Sequence, residues 1–455
     1  MSRRHLFVSV AICACVFGSS LAALTSVRSR IAFEESALSM SRPVPQALST
    51  VDGTAGARLS LIAVPSLPDE VADVPAEIGG MRPSAVASAD FDEDGTPDFV
   101  AGYAGDGTGA VAIWRGNVDA RYPNTIEAQA RRDAGTFTEA PFLGVLTTAS
   151  TVVMPEFVAA SDFDGDGNMD AVLTRVGATA ISLLSGNGEG GLISERSIEL
   201  PGSVTAFASG DVGQLDSHDD VVLGLDTSQG PQLVVLRAGF TTFGEMPERI
   251  SVPSLPSAMR IGRVGDDGPT DIVAVSASTL WMLNGVSPDA VDRRSFDDRA
   301  VVRDLPFEAD LVTIGNFSGS KRRDIALRDR DGSVHVLAQL GERDFRTPAA
   351  SLPLLSSLSA DSTWRLVENV WEPLSPAASQ RSLVGAKLSE GVYDDLVVSD
   401  GSTSMSVLVN GADAEAQKRV PSFDAVVEHI STPIESTAVL PMRLNGDALS
   451  DLVFV

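Results

Sequence analysis

Residues 87–102 read ASADFDEDGTPDFVAG, and residues 160–174 read ASDFDGDGNMDAVLT. Both contain the pattern D-x-D-x-D-G-x-x-D, followed by an apolar run. The acids are Asp90, Asp92, Asp94 and Asp98 in the first stretch, and Asp162, Asp164, Asp166 and Asp170 in the second. Alternating Asp residues in a tight turn gather three carboxylates on its inner side. The glycine after the third acid, Gly95 or Gly167, allows the chain to turn back sharply. The apolar run that follows has the length and composition of a strand.

Such a loop suits a hard cation. Calcium takes about 6–8 oxygen ligands in flexible geometry. The carboxylates, the backbone carbonyls of Thr96 and Asn168, and the ninth-position acid would supply them. An EF-hand is excluded, because its twelfth position requires a bidentate Glu. Here that position holds Ala101 or Leu173, inside the strand. Without a cation, four crowded carboxylates would repel one another.

The ninth-position Asp recurs ahead of apolar runs as Asp220, Asp271, Asp324, Asp395 and Asp451. A period near 50 residues with strand-rich content indicates a propeller or array. A glycine-bearing turn one strand later repeats in register, at Gly116, Gly186, Gly239, Gly285, Gly341 and Gly411. Four short antiparallel strands per repeat make a propeller blade. The sequence therefore predicts an all-β, seven-bladed β-propeller over residues 57–455, its last blade incomplete or closed by an N-terminal strand. The segment from Ala57, ARLSLIAVPSLP, is the candidate closing strand. The short seventh repeat also suggests that the chain is a piece of a longer protein.

These loops resemble those of FG-GAP (VCBS-like) repeats, the blades of the integrin-α head propeller and of many secreted bacterial proteins. The resemblance covers residues 57 to 455. It implies a calcium-binding hairpin loop, with Asp90, Asp92, Asp94, Asp98, Asp162, Asp164, Asp166 and Asp170 as ligands. It also implies a binding or adhesion role.

The later loops have lost carboxylates. Their first positions read as Val212, Arg263, Asn316, Lys387 and Arg443. In three of them a built-in cation could replace the metal: Arg263 facing Asp267 and Asp271, Lys387 facing Asp395, and Arg443 facing Asp447 and Asp451. Drift on a solvated loop is the other reading. The ninth Asp persists where metal ligation is lost, so in these repeats its expected role is to accept loop amides and fix the turn. Lys321, Arg322 and Arg323 form a solvated basic tip.

The net charge of −27 argues against nucleic acid and anionic membranes as partners. Residues 1–22 read as a secretory signal peptide: Arg3 and Arg4, then the apolar run Leu6 to Phe17, then Ser20-Leu21-Ala22. An uncleaved anchor is the alternative. Both cysteines, Cys13 and Cys15, lie within this segment, so the mature chain has no disulfide. Residues 23–56 read as a flexible linker. The chain is expected to be secreted, extracellular or periplasmic.

The two longest repeat spacings predict insertions at 118–142, with a short helix from Thr125 to Arg132, and at 356–382, with Trp364 and Trp371. The Trp pair suits either partner contact or burial. No catalytic constellation is visible. His5, His218, His335 and His429 are scattered. Ser318 to Lys321 matches S-x-x-K without supporting partners, and Gly186 to Gly191 is a hairpin turn between strands rather than a dinucleotide loop. The functional expectation is a calcium-stabilised module that binds an extracellular protein or glycan. The alternatives are a propeller-type polysaccharide lyase or hydrolase, and a structural domain of a larger surface protein.

Overall fold

A computed structural model shows where these repeats lie. It describes residues 81–455 except 106, 213–217, 240–246, 265–269, 286–299, 319–322, 340–363, 372–381, 390, 400, 402, 411–424 and 432–435, together with residue 78 and three short N-terminal strands. Those strands are β1 (Val10–Ile12), β2 (Ser49–Asp52) and β3 (Arg58–Leu61). The signal-peptide and linker assignments otherwise lie outside the described residues, as do Asp267, Lys321 and Arg322.

Six four-stranded antiparallel meanders follow. The first is β4 (Arg82–Ala89), β5 (Asp98–Ala104), β6 (Gly109–Gly116) and β7 (Phe142–Thr151). The second is β8 (Phe157–Ser161), β9 (Asp170–Thr174), β10 (Ala180–Gly186) and β11 (Leu192–Glu199). The third is β12 (Gly202–Gly210), β13 (Asp220–Thr227), β14 (Gly230–Leu236) and β15 (Glu248–Ser251). The fourth is β16 (Ala258–Gly262), β17 (Asp271–Ser276), β18 (Thr279–Leu283) and β19 (Ala300–Asp304). The fifth is β20 (Ala309–Gly315), β21 (Asp324–Asp329), β22 (Val334–Gln339) and β23 (Trp364–Trp371). The sixth is β24 (Ser382–Ala386), β25 (Asp395–Ser399), β26 (Ser404–Asn410) and β27 (Ala425–Ser431).

The β-propeller expectation holds, but the blade count does not. Among the described residues there are six four-stranded blades, not seven. The seventh acidic turn belongs to a hairpin, β28 (Val439–Met442) and β29 (Asp451–Phe454). The repeat counts turns, and this turn is followed by one strand only. The outer edge of β29 pairs in parallel with β1, Val10 opposite Leu452. The segment from Ala57 does not close this sheet, because β3 pairs with β2 in a separate hairpin.

The blades join through seven apolar clusters, one per sector. One lies between the first and second blades around Phe91, Val100 and Leu173. Another joins the C-terminal hairpin to the first blade through Val453, Val455, Phe99 and Tyr103. Thr437 Oγ1 donates to the Pro83 carbonyl across that seam at 3.0 Å. Stacking on both sides explains why the second strands are mostly apolar and mostly buried. All residues of β9, β17, β21 and β25 are buried. Outer strands meet water, and β11 is largely exposed.

Between β6 and β7 lie α1 (Val118–Arg121) and α2 (Ile126–Ala134), the predicted first insertion. The Thr125 hydroxyl caps α2 by accepting from the Ala128 amide, and Gly135 ends it in the left-handed region. Within the predicted second insertion, Trp364 and Trp371 begin and end β23, the outer strand of the fifth blade; the residues on either side, 340–363 and 372–381, lie outside the described residues. The WRLVENVW run, with two Val and two Trp in eight residues, was itself a strand signal. Among the described residues, no helix is long and apolar enough to cross a membrane.

Two mid-strand glycines show how tightly the blades nest. A Cβ on Gly224 of β13 would sit 2.4 Å from the ring of Pro256, which leads into the fourth blade. Gly102 of β5 meets Pro155 in the same way. Gly224→Ala is expected to destabilise the fold by roughly 1–3 kcal/mol through overpacking. Urea denaturation compared with the parent protein measures this.

Candidate metal centre and its relatives around the ring

Each acidic turn links an innermost strand to the second strand of its blade. Since every blade starts at the axis, all seven turns emerge at the same end of the ring. The ninth-position Asp is buried in every one: Asp98, Asp170, Asp220, Asp271, Asp324, Asp395 and Asp451. One carboxylate oxygen accepts the amide of the residue after the turn's first position. The donors are Phe91, Phe163, Val212, Val264, Phe317, Leu388 and Leu444, at 2.8–3.1 Å. The other oxygen accepts an amide from the end of the third strand: Gly116, Gly186, Ala238, Gly285 or Asn410, at 2.8–3.0 Å. The expected turn-fixing role is thus visible, and it extends across the blade.

This pattern corrects one register. Val212 occupies the second position of its turn, not the first. The third turn has one additional residue, and Asp211 takes the first position. Aligning on Asp220 alone hid the extra residue.

Neighbouring turns are also tied together. Gly190 N–H donates to the Phe91 carbonyl at 2.9 Å, and Gly239 N–H to the Phe163 carbonyl at 2.8 Å. The Asn410 side chain donates to the Phe317 carbonyl at 2.6 Å. Asp394 N–H reaches the Asn316 carbonyl at 2.8 Å, and Ser450 N–H the Lys387 carbonyl at 2.7 Å. A turn that stiffens therefore holds its own blade and the next.

Two turns gather carboxylates closely enough to share one ion. In the first, oxygens of Asp90, Asp92 and Asp94 lie within 4.8 Å of one another. In the second, oxygens of Asp162, Asp164 and Asp170 do so. Asp98 is not in the first cluster, and Asp166 is not in the second. Asp166 instead accepts the Asn168 amide at 2.8 Å, as Asp94 accepts that of Thr96 at 2.9 Å. The first acid of each turn, Asp90 or Asp162, accepts two amides of its own loop. Gly95, Gly165 and Gly167 have positive φ, and Glu93 takes the same conformation at φ 55°.

One atom is left over in the same place in both turns. Asp92 Oδ1 and Asp164 Oδ1 are buried and accept no hydrogen bond. A buried carboxylate oxygen without a donor is costly. Burial, reinforced by Asp94, raises the Asp92 pKa. Burial also lifts Asp98 and Asp170 to about 6, against the amides that favour ionisation. A divalent cation would satisfy the orphaned oxygens and favour the ionised forms, so the donor set fits one.

The two clusters differ in their neighbours. Arg115 closes β6 of the first blade, its Nε 2.8 Å from Asp92 Oδ2 and its Nη2 3.2 Å from Asp94 Oδ2. The matching residue of the second blade is Ser185, whose hydroxyl donates to Asp164 at 2.8 Å. His218, from the third turn, stands 3.7 Å from Asp162. In the third blade the same position holds Arg237, which donates to Asp220 at 2.7 Å, to the Val212 carbonyl, and to Glu248 at 3.0 Å. Sequence reasoning missed Arg115 and Arg237. It sought the cation at the turn's first position, whereas these come from the far end of the third strand. Their signal was a basic residue just before the amide-donating turn.

Of the three cations predicted to replace a metal, Lys387 reaches into its own turn. Its ammonium donates to the carbonyls of Gly391 and Tyr393, the latter at 3.0 Å. Tyr393 holds the seventh position, whose carbonyl was expected as a metal ligand in the intact turns. Arg263 and Arg443 are exposed. Ser318 donates to Asp324 at 2.9 Å, so its hydroxyl serves the turn.

A family model for the FG-GAP repeat matches residues 82–114, which span the first acidic turn and β4 to β6. The first blade carries an FG-GAP repeat. No curated protein matches the chain's sequence. Among solved structures, it is similar to BBS1N from a complex with ARL6DN soaked with lead: 13% identity, TM-score 0.46, covering 84% of this chain and 90% of that one. It is also similar to a proposed 6-phosphogluconolactonase from Bacteroides uniformis: 12% identity, TM-score 0.46, covering 82% and 88%. Likeness at this level bears on neither activity nor partner.

Asp395 gives a pH test away from the acidic clusters. Burial lifts its pKa to about 6, outweighing the Asn410, Ser389 and Leu388 donors and the Lys387 charge. The unfolded value is about 3.9. The folded chain therefore binds this proton more tightly. The associated stability is fully present below about pH 4 and is lost as pH rises through about 6. Comparing Asp395→Asn with the parent by urea denaturation at pH 4 and pH 7 should shrink the pH dependence by on the order of 2–3 kcal/mol.

Proposed function

We propose that this FG-GAP repeat protein is a secreted, calcium-stabilised β-propeller acting as a non-enzymatic module that binds an extracellular protein or glycan. The observation that carries the calcium reading is the orphaned buried oxygen at the same position of two turns, Asp92 Oδ1 and Asp164 Oδ1. Each belongs to three carboxylates whose oxygens lie within 4.8 Å. The ligands proposed for the first site are Asp90, Asp92 and Asp94 with the Thr96 carbonyl. Those for the second are Asp162, Asp164 and Asp170 with the Asn168 carbonyl. Asp98 fixes the first turn from within, and Asp166 holds the Asn168 amide. Since the Phe91 and Phe163 carbonyls tie these turns to the next blade, an ion would stiffen the joints between the first three blades. A rigid ring then presents its loops and insertions without further ordering cost. The N-terminal leader-like segment supports secretion, into surroundings where calcium is abundant enough to fill sites of modest affinity; its cleavage would remove β1 from the edge of β29.

Calorimetric titration of the chelator-treated chain with calcium tests this. Two sites are expected, with Kd of about 10⁻⁴–10⁻³ M as in extracellular modules. Asp164→Ala should abolish the second site alone, and Asp92→Ala the first. At about 1 mM calcium each site should add about 0.4–1.4 kcal/mol of stability. A chain that binds no calcium, or melts identically with and without chelator, contradicts the proposal. A glycan and protein array probed with and without chelator tests the partner.

The first site should be the weaker, because Arg115 already neutralises part of its charge. Arg115→Ala is expected to tighten calcium at that site several-fold and leave the second unchanged. Unaltered affinity would show that the guanidinium does not compete.

A further inference from the structure

The axis of the ring encloses a cavity of about 440 Å³, a volume typical of small-molecule sites. It is lined by the innermost strands of all six blades and by β28. Among its lining residues Arg260 is the one cation and Glu156 the one carboxylate. Arg260 lies mid-strand in β16. Its side chain is exposed to the cavity, and desolvation by the surrounding strands lowers its pKa. Its hydrogen bond goes to the carbonyl of its own neighbour, Met259, at 3.1 Å. It has no carboxylate partner among the described residues. Glu156 is exposed and accepts the Val176 amide at 3.0 Å. Asp310, on the adjacent innermost strand, is paired with Arg328 at 2.8 Å. In a chain of net charge −27 with acids at every turn, an unneutralised guanidinium on the axis is conspicuous.

The wall beside it is apolar. Phe157 and Phe207, on the two preceding innermost strands, stack with ring centroids 5.6 Å apart and planes 15° from parallel. Both line the cavity, with Ser209 and Ser382 among its polar groups. A guanidinium pairs best with a planar oxyanion that it can grip through two N–H groups. Low-dielectric walls concentrate its field within the channel. The geometry points to an axial binding site for a small organic carboxylate, its oxyanion on Arg260 and its apolar body against the Phe157–Phe207 pair. This site needs no ion in the acidic turns, so it stands or falls apart from the calcium reading.

Benzoate is a suitable probe, with benzyl alcohol as an uncharged ligand of similar body and acetate as the bare oxyanion. Saturation-transfer NMR and calorimetry on the whole calcium-supplied chain provide the readout. Benzoate should bind saturably, and both benzyl alcohol and acetate at least about tenfold more weakly. Arg260→Gln should remove the preference for benzoate over benzyl alcohol, and Arg260→Lys should retain part of it. A parent protein that binds benzoate no better than benzyl alcohol overturns the proposal without recourse to any variant. So does a folded Arg260→Gln chain that keeps the full preference.

Discussion

The propeller depends on a buried carboxylate that accepts backbone amides from two places at once. In every acidic turn the ninth-position Asp holds the start of its own loop. In five turns it also holds the end of the third strand, from Gly116 to Asn410. A carboxylate can do this because it accepts several hydrogen bonds and carries no donor of its own. Asn would turn an N–H₂ toward at least one backbone amide. The apolar clusters between blades supply most of the burial, but they do not by themselves fix where each turn sits. The Asp does, and the turn carbonyls then fasten each blade to its neighbour.

Burying an acid on every blade creates a charge problem, and the ring meets it differently by sector. The first two turns collect further carboxylates and leave one oxygen in each without a donor, the arrangement that invites a cation. The third uses Arg237, reaching in from β14. The sixth uses Lys387, whose ammonium takes the Tyr393 carbonyl. The first turn has both devices, an acidic cluster and Arg115 against it. This view treats the loss of acids in later repeats as a change in how one constraint is met. It also places any metal-dependent stiffening in one arc of the ring, between the first and third blades.

Much of this was legible in the chain. The D-x-D-x-D-G-x-x-D turns, their apolar runs and the period gave the architecture and both carboxylate clusters, because each rests on local chemistry. Thr125 marked the start of α2 for the same reason. What was not legible required knowledge of distant partners. A turn motif cannot show that the seventh repeat is a hairpin paired with β1. The single additional residue that places Asp211 at the head of the third turn emerges only once Val212 is seen bonding Asp220. Arg115 and Arg237 lie a whole strand away from the acids they meet. Arg260 looked ordinary because nothing in its neighbourhood in sequence says that it faces the axis.

Amide hydrogen exchange, read residue by residue with calcium and with chelator, tests the central claim most directly. The Phe91, Phe163, Val264, Phe317, Leu388 and Leu444 amides should exchange only with global unfolding, since each is held by a buried Asp. Removing calcium should speed exchange around the first two turns and leave the Leu388 and Leu444 amides as slow as before. Rapid exchange of those two amides in the folded protein would contradict the account, since it would mean that the carboxylate does not hold the turn.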